Sequence, residues 1–316
     1  MALTTSAVGS FAWEENGPSA PAVIRIWSPE QNASFPLVNL NPKVTDWRLG
    51  RQEVVQWKNQ AGDQLEGILI YPTDYQEGRS YPLIVDAYPD TGNYFMGYPM
   101  GGNQAWASMG YAVFWPNVRA PHDWQNVFKS EAHDHAGKGP DGLAVMLDDL
   151  NSGIDELVRR GVADPTRMCL FGHSNGGAVV NQVVTMTNRF RCAVSVAAAL
   201  STDWSMPLFL NTDAKVIADL AGATPWEEPE TYVKLSASYR LNKVSTPMLL
   251  AVGDKDGMIL LTTIETYNGL RYLGKPVTFL RYRDQGHEFA GAALKDFWER
   301  ETQFFDKYLK PESSVH

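Results

Sequence analysis

Residues 171–180, FGHSNGGAVV, place one serine, Ser174, among Gly172, Gly176 and Gly177, directly after the apolar run RMCLFG and before a helical pattern. Glycine weakens strands and helices alike, so three of them around one hydroxyl call for a backbone reason. A strand that turns sharply into a helix supplies it. The turn lifts the serine clear of the sheet, and strand and helix pass so closely that side chains at 172 and 176 would collide. The helix start also aims free N–H groups at any negative charge forming nearby. The constraint on the fold is therefore strong: an open sheet with a helix packed on it, and Ser174 at a strand's carboxyl end.

The surrounding pattern agrees. QEVVQWK and LEGILIYP read as a hairpin across NQAGDQ. YPLIVDAYP and YAVFWPN are short continuous apolar runs, as in strands covered on both faces. A helix GLAVMLDDLNSGIDELVRRG follows, ending in a basic turn and a glycine. After the serine come CAVSVAAAL, TPMLLAVG and PVTFLRY as strands, with TTIETYNGLRYLG and ALKDFWERETQFFDKYL as helices. Alternation of this kind predicts an α/β fold, a mostly parallel doubly wound sheet with helices on both faces. Ligands in such folds bind beyond the strands' carboxyl ends. Residues 201–243 break the alternation and read as an inserted cap or pocket wall. Residues 1–50 read as a separate segment with one strand, AVIRIWS, and a loop-rich remainder.

A serine hydroxyl needs a base, and the base needs a carboxylate to orient it. Of the six histidines, His122, His133 and His135 precede the serine, and His316 is terminal. His173 adjoins it, where neighbouring strand side chains point to opposite faces. His287, in YRDQGHEF after the last strand, remains. The acid should also end a strand, and LLAVGDKDGM offers Asp254 and Asp256 alike.

The totals limit the alternatives. At 316 residues and 44% hydrophobic composition the chain can bury a large core. With net charge −9 and no Lys/Arg clusters it is a poor partner for nucleic acid or an anionic membrane. No apolar run reaches the roughly 20 residues of a membrane span. MALTTSAVGSFAWEENG lacks the basic start and apolar stretch of a signal peptide. Cys169 and Cys192 lie in apolar runs and read as buried free thiols. Together these set the expectation of a cytoplasmic protein without cofactor, with homo-oligomerisation left open. His133 and His135 in HDH lack further ligands at metal spacing and read as a solvated loop, so no metal is expected.

Taken together, GHSNGG, YPLIVDAYP, GVADPTRMCLFGHS and AVGDKDGMI resemble the catalytic α/β-hydrolase domain of the prolyl oligopeptidase family of serine peptidases, over roughly residues 50–310. The resemblance implies a domain at 51–312. Residues 1–50 would be the end of a β-propeller plus linker, most or all of the propeller being absent. It picks Asp256 as the acid, because the family's aspartate lies three residues after the glycine. It gives Ser174, Asp256 and His287 as a catalytic triad and Tyr88 and the Asn175 N–H as oxyanion donors. Leu200, Trp204 and Met258 read as an apolar substrate pocket. Met258 stands where the family often has a polar or arginine residue, and NVRAPHD replaces its common Arg-Gly-Ser run. The implied function is cleavage of an amide or peptide bond in a small peptide through an acyl-enzyme. A carboxylesterase or acyl transferase on the same triad, acting on an acyl ester or amide, stays open, as does a non-catalytic hydrolase-like binding protein.

Overall fold

The computed structural model describes residues 3–5, 9–17, 20–39, 41–88, 103–119, 139–198 and 222–310. The described residues form two sheets. The first is a four-stranded antiparallel meander, β1 (Leu3–Thr5), β2 (Phe11–Gly17), β3 (Ala20–Ser28) and β4 (Ala33–Asn39), paired in sequence order. The sequence reading of one strand and a loop is corrected here. β4 (ASFPLVN) carries a proline and is exposed along its whole length, so it has no alternation of burial to betray it. Its proline opposes Arg25 next to a register shift, on an edge strand where a missing N–H is tolerated.

The second sheet carries the site. Its strands are β5 (Gln52–Lys58), β6 (Gln64–Ile70), β7 (Tyr81–Asp86), β8 (Ala112–Pro116), β9 (Ala163–His173), β10 (Cys192–Val196), β11 (Met248–Gly253) and β12 (Val277–Tyr282). Their spatial order is β12-β11-β10-β9-β7-β8-β6-β5. The first hairpin, β5–β6, is antiparallel, and β6 runs antiparallel to β8. The five pairings from β8 through β12 are parallel. This is the mostly parallel α/β-hydrolase sheet that the sequence implied.

The helices are α1 (Asn103–Ser108), α2 (Gly139–Arg159), α3 (Asn175–Val183), α4 (Pro229–Leu235), α5 (Gly257–Tyr272) and α6 (Gly291–Leu309). Alternate strand residues feed two cores. Leu83 and Val85 join Met146, Leu150 and Ile154 of α2, Val179 and Val183 of α3 and Leu270 of α5. Ile84 points the other way, into a core with Trp106 of α1 and Phe297, Phe304 and Phe305 of α6. Both faces are therefore covered, which explains why these strands are unbroken apolar runs. The short helix α1 escaped the sequence reading because six residues are too few to show a helical period. Residues 222–243 of the expected 201–243 insertion fall among the described residues. They form α4 and a 3-10 turn at Ala237–Lys243.

One buried ion network ties the antiparallel end to α2. Arg119 donates to both carboxylate oxygens of Asp149, at 2.8 and 2.7 Å, and pairs with Asp63 at 2.9 Å. Asn59 donates to Asp149 as well, at 3.0 Å. The network satisfies a carboxylate that has no solvent exposure, which a single partner would leave costly.

The two cysteines are not free thiols. Cys169 on β9 stands opposite Cys192 on β10, with Cα atoms 4.8 Å apart, and the two are joined as a disulfide. Their separation is within the usual bridging range. Two apolar runs 23 residues apart in sequence do not reveal that their cysteines meet in register. The correction also removes one support for the cytoplasmic expectation.

Candidate active site

Ser174 follows β9 and precedes α3, with φ 56° and ψ −119°. A non-glycine residue in that region is strained by about 1–3 kcal/mol and persists only where its surroundings hold it. They do. The Ser174 N–H donates to the Val196 carbonyl at 2.9 Å, and the Ser174 carbonyl accepts the Ala178 N–H at 3.1 Å. The glycines are where the backbone needs them. A Cβ on Gly172 would meet the Gly176 carbonyl group at 2.2 Å. One on Gly176 would stand 2.4 Å from the Ala87 carbonyl oxygen, and one on Gly177 2.8 Å from Ala198 Cβ.

His287 and Asp256 meet Ser174 across two adjoining loops. His287 Nε2 is 2.9 Å from Ser174 Oγ, and His287 Nδ1 lies 3.0 and 3.1 Å from the two Asp256 oxygens. A carboxylate at Nδ1 fixes the proton there, leaving Nε2 to accept from the serine. Asp256 sits at the N-cap position of α5, yet its side chain caps no helix N–H. Its oxygens are left for the imidazole. The Asp256 side chain is 8% exposed and that of His287 38%, so the acid is sheltered and the base reaches solvent.

The loops that carry acid and base are pressed together. A Cβ on Gly253, the last residue of β11, would be 2.2 Å from the Gly286 carbonyl oxygen. Lys255 N–H donates to the Gln285 carbonyl at 2.8 Å, and Asp254 N–H to the Tyr282 carbonyl at 3.0 Å. Asp254, the rival acid, spends its carboxylate on the backbone N–H of Asp284 at 2.7 Å. Of the two aspartates, only Asp256 faces the imidazole.

His173, set aside in the sequence, has a part in the geometry. Its Nε2–H donates to the His287 carbonyl at 3.0 Å, and its ring stands 4.8 Å from the His287 ring. It braces the loop of the candidate base from behind. Its position immediately before the serine is its one signal in the sequence, and strand alternation there speaks only of its side chain pointing away from the serine.

Tyr88 leaves the end of β7 beside the serine turn. The preceding Ala87 N–H donates to the Phe171 carbonyl at 2.8 Å. A Cβ on Gly176 would come within 3.3 Å of the Tyr88 ring, so the ring flanks the start of α3. Asn175 is the first residue of α3, and its N–H is among the donors that a helix start leaves unpaired. Met258 lies in the first turn of α5, partly buried against the α2–α3 core. Leu200 and Trp204 lie outside the described residues, as do His122, His133, His135 and His316. Among the described residues no group of three or more metal-ligating side chains occurs, and no helix is long and apolar enough to cross a membrane.

Known proteins share both the sequence pattern and the fold. An uncharacterized peptidase of Bacillus subtilis is 26% identical over 262 residues, covering 80% of this chain and 38% of its own. A lasso peptide isopeptidase of Asticcacaulis excentricus is 27% identical over 268 residues, covering 80% of this chain and 36% of its own. The chain thus spans well under half the length of these relatives. Among solved structures, an acylaminoacyl peptidase of Pyrococcus horikoshii superposes with a TM-score of 0.82 at 21% identity, over 100% of this chain and 50% of that one. A puromycin-hydrolyzing peptidase of Mycobacterium tuberculosis does so with a TM-score of 0.81 at 20% identity, over 98% of this chain and 47% of that one. Likeness at that identity carries the fold. The sequence pattern described as "Prolyl oligopeptidase family" matches residues 100–312, which include Ser174, Asp256 and His287, and the chain belongs to that family.

Proposed function

We propose that the protein is a serine peptidase that cleaves an amide bond of a small peptide through an acyl-enzyme on Ser174. The observation that carries this reading is the continuous chain of contacts from Ser174 Oγ through His287 to Asp256, on a strained turn in a chain of the prolyl oligopeptidase family.

In this mechanism His287 Nε2 takes the Ser174 proton as Oγ attacks the scissile carbonyl carbon. The carbonyl oxygen becomes an oxyanion, which the Asn175 N–H and the Tyr88 hydroxyl meet. His287 then passes its proton to the leaving amine, and the C–N bond breaks. A water molecule repeats the sequence on the acyl-enzyme and frees the acid. Asp256 keeps its charge throughout and holds the imidazolium by Nδ1–H. Preorganised donors of this kind are worth about 10²–10³-fold each in acyl transfer.

Peptide chemistry is favoured by what the relatives' names say of them, an acylaminoacyl peptidase and a lasso peptide isopeptidase among them. A second reading, ester or acyl-transfer chemistry on the same triad, is favoured by Met258, whose thioether has no hydrogen to donate to a peptide carbonyl. Residues 1–50 are read as the end of a propeller plus linker. The four-stranded meander supports this, because a propeller blade holds four strands.

The test is a parallel assay of peptidyl-anilide and short-chain ester substrates on the wild type and Ser174→Ala. The peptidase reading expects a larger kcat/KM on the anilides and loss of both activities in the variant. Turnover of esters alone would establish the second reading in its place.

A further inference from the structure

Behind His287, on the α1–α6 face of the sheet, lies a cavity of about 210 Å³. Its described lining includes His287 but not Ser174, Asp256, Tyr88 or Met258, so it adjoins the proposed acyl site and shares that one residue with it. Two acids line it. Glu301 of α6 is 1% exposed, and its Oε1 has no hydrogen-bond partner. Asp86, at the carboxyl end of β7, is partly open to the cavity. The remaining walls are largely aromatic: Phe171 from β9, Phe297 and Trp298 from α6, and Trp106 from α1. Trp106 packs edge-on to Phe171 at 4.9 Å and tilted to Trp298 at 6.2 Å, giving one continuous aromatic wall.

A buried carboxyl oxygen without a partner is costly, and a family-type acyl transfer gives neither acid any task. Burial pushes Asp86 up to about 7 and Glu301 well above the usual carboxylate range, the latter further raised by the charge of Asp86. Neither the Asn103 amide nor the Trp106 indole N–H reaches full hydrogen-bonding geometry on an acceptor. Both nonetheless lie close enough to Asp86 and Glu301 respectively to favour their ionised forms. Among the cavity's described lining residues there is no lysine or arginine, and its two histidines, His173 and His287, already have partners in the His287 carbonyl and in Ser174 and Asp256. Aromatic faces beside carboxylates are the chemistry that holds an alkylammonium group, the rings attracting the cation and packing its methylenes.

We propose that this cavity is a binding site for a small primary amine, its ammonium group between Asp86 and Glu301 and its alkyl stem against Phe171, Phe297 and Trp298. The site does not depend on the peptidase reading, because its occupant is held by groups outside the acyl chemistry.

The test uses n-butylamine and its uncharged counterpart n-butanol, with binding read by calorimetry and thermal unfolding at pH 7. Butylammonium should bind saturably and raise the melting temperature of the wild type, and butanol should not. Glu301→Gln and Asp86→Asn should each weaken amine binding about tenfold or more, because each removes a carboxyl that can give up its proton to pair with the ammonium while keeping the side chain's shape. Equal stabilisation by butanol, absence of amine binding, or undiminished binding in both variants would overturn the proposal. If the variants fail to fold, the wild-type comparison of amine with alcohol still decides.

Discussion

Asp254 Oδ1 accepts the backbone N–H of Asp284 at 2.7 Å and so ties the loop after β11 to the loop after β12. Two residues on, Asp256 places both its oxygens against His287 Nδ1. The two neighbouring aspartates therefore do different work, one holding the loops together and one facing the base.

Asp256→Asn should lower kcat by about 10⁴-fold, the loss that the same change causes in a trypsin-like triad, because an amide lets the imidazole take the wrong tautomer. Asp254→Asn keeps an oxygen that can accept the Asp284 N–H and should cost less than about tenfold, in line with one modest hydrogen bond. Steady-state kinetics on both variants check this, and equal losses would contradict the division of labour.

Tyr88→Phe removes a hydroxyl and leaves the ring that flanks Gly176. The expected result is a fall in kcat of about 10- to 10³-fold with a much smaller change in KM, because a bond to the oxyanion strengthens in the transition state. A rise in KM at constant kcat would make Tyr88 a ground-state binding residue. No change in either would place the second oxyanion donor elsewhere.

Gly172→Ala should destabilise the fold by about 2–4 kcal/mol, because its methyl would meet backbone atoms of Gly176 that cannot swing aside. Gly286→Ala is the control. An added Cβ there meets nothing within 4 Å, and the change should stay within about 0.5 kcal/mol. Urea unfolding midpoints measure both.

The cavity acid Asp86 makes stability depend on pH. Its folded value of about 7 lies above the ordinary 3.8. The folded state therefore binds more protons than the unfolded chain between those values. This group's contribution is full below about pH 4 and is lost as pH rises towards about 7. The stability of Asp86→Asn relative to wild type should increase across that window and level off above it. A difference independent of pH would show that Asp86 titrates normally.

Much of this was legible in the sequence for identifiable reasons. The serine turn announced itself because close backbone approach admits only glycine, and Gly172, Gly176 and Gly177 all report it. Strands buried on both faces show as unbroken apolar runs, so β7 through β11 were readable. His287 followed from position, but the choice of Asp256 over Asp254 needed the family resemblance, because both end the same strand. The illegible parts depend on register or on pairing across distance. Strand β4 has no buried face, the Cys169–Cys192 bridge exists only through the alignment of β9 with β10, and the Asp86–Glu301 cavity joins residues from opposite ends of the domain. Strand alternation turns the His173 side chain away from that of Ser174. That rule correctly keeps it from the serine and is silent on what lies behind the base.

The central claim is that Ser174 is the acylated nucleophile. It is tested most directly by treating the protein with a fluorophosphonate and mapping the modified residue by peptide mass spectrometry, with Ser174→Ala in parallel. Only an activated serine reacts readily with such a reagent. The account predicts one adduct, on the peptide containing Ser174, with activity lost in proportion and no labelling of the variant. An adduct on another residue, or labelling that persists in Ser174→Ala, would contradict it.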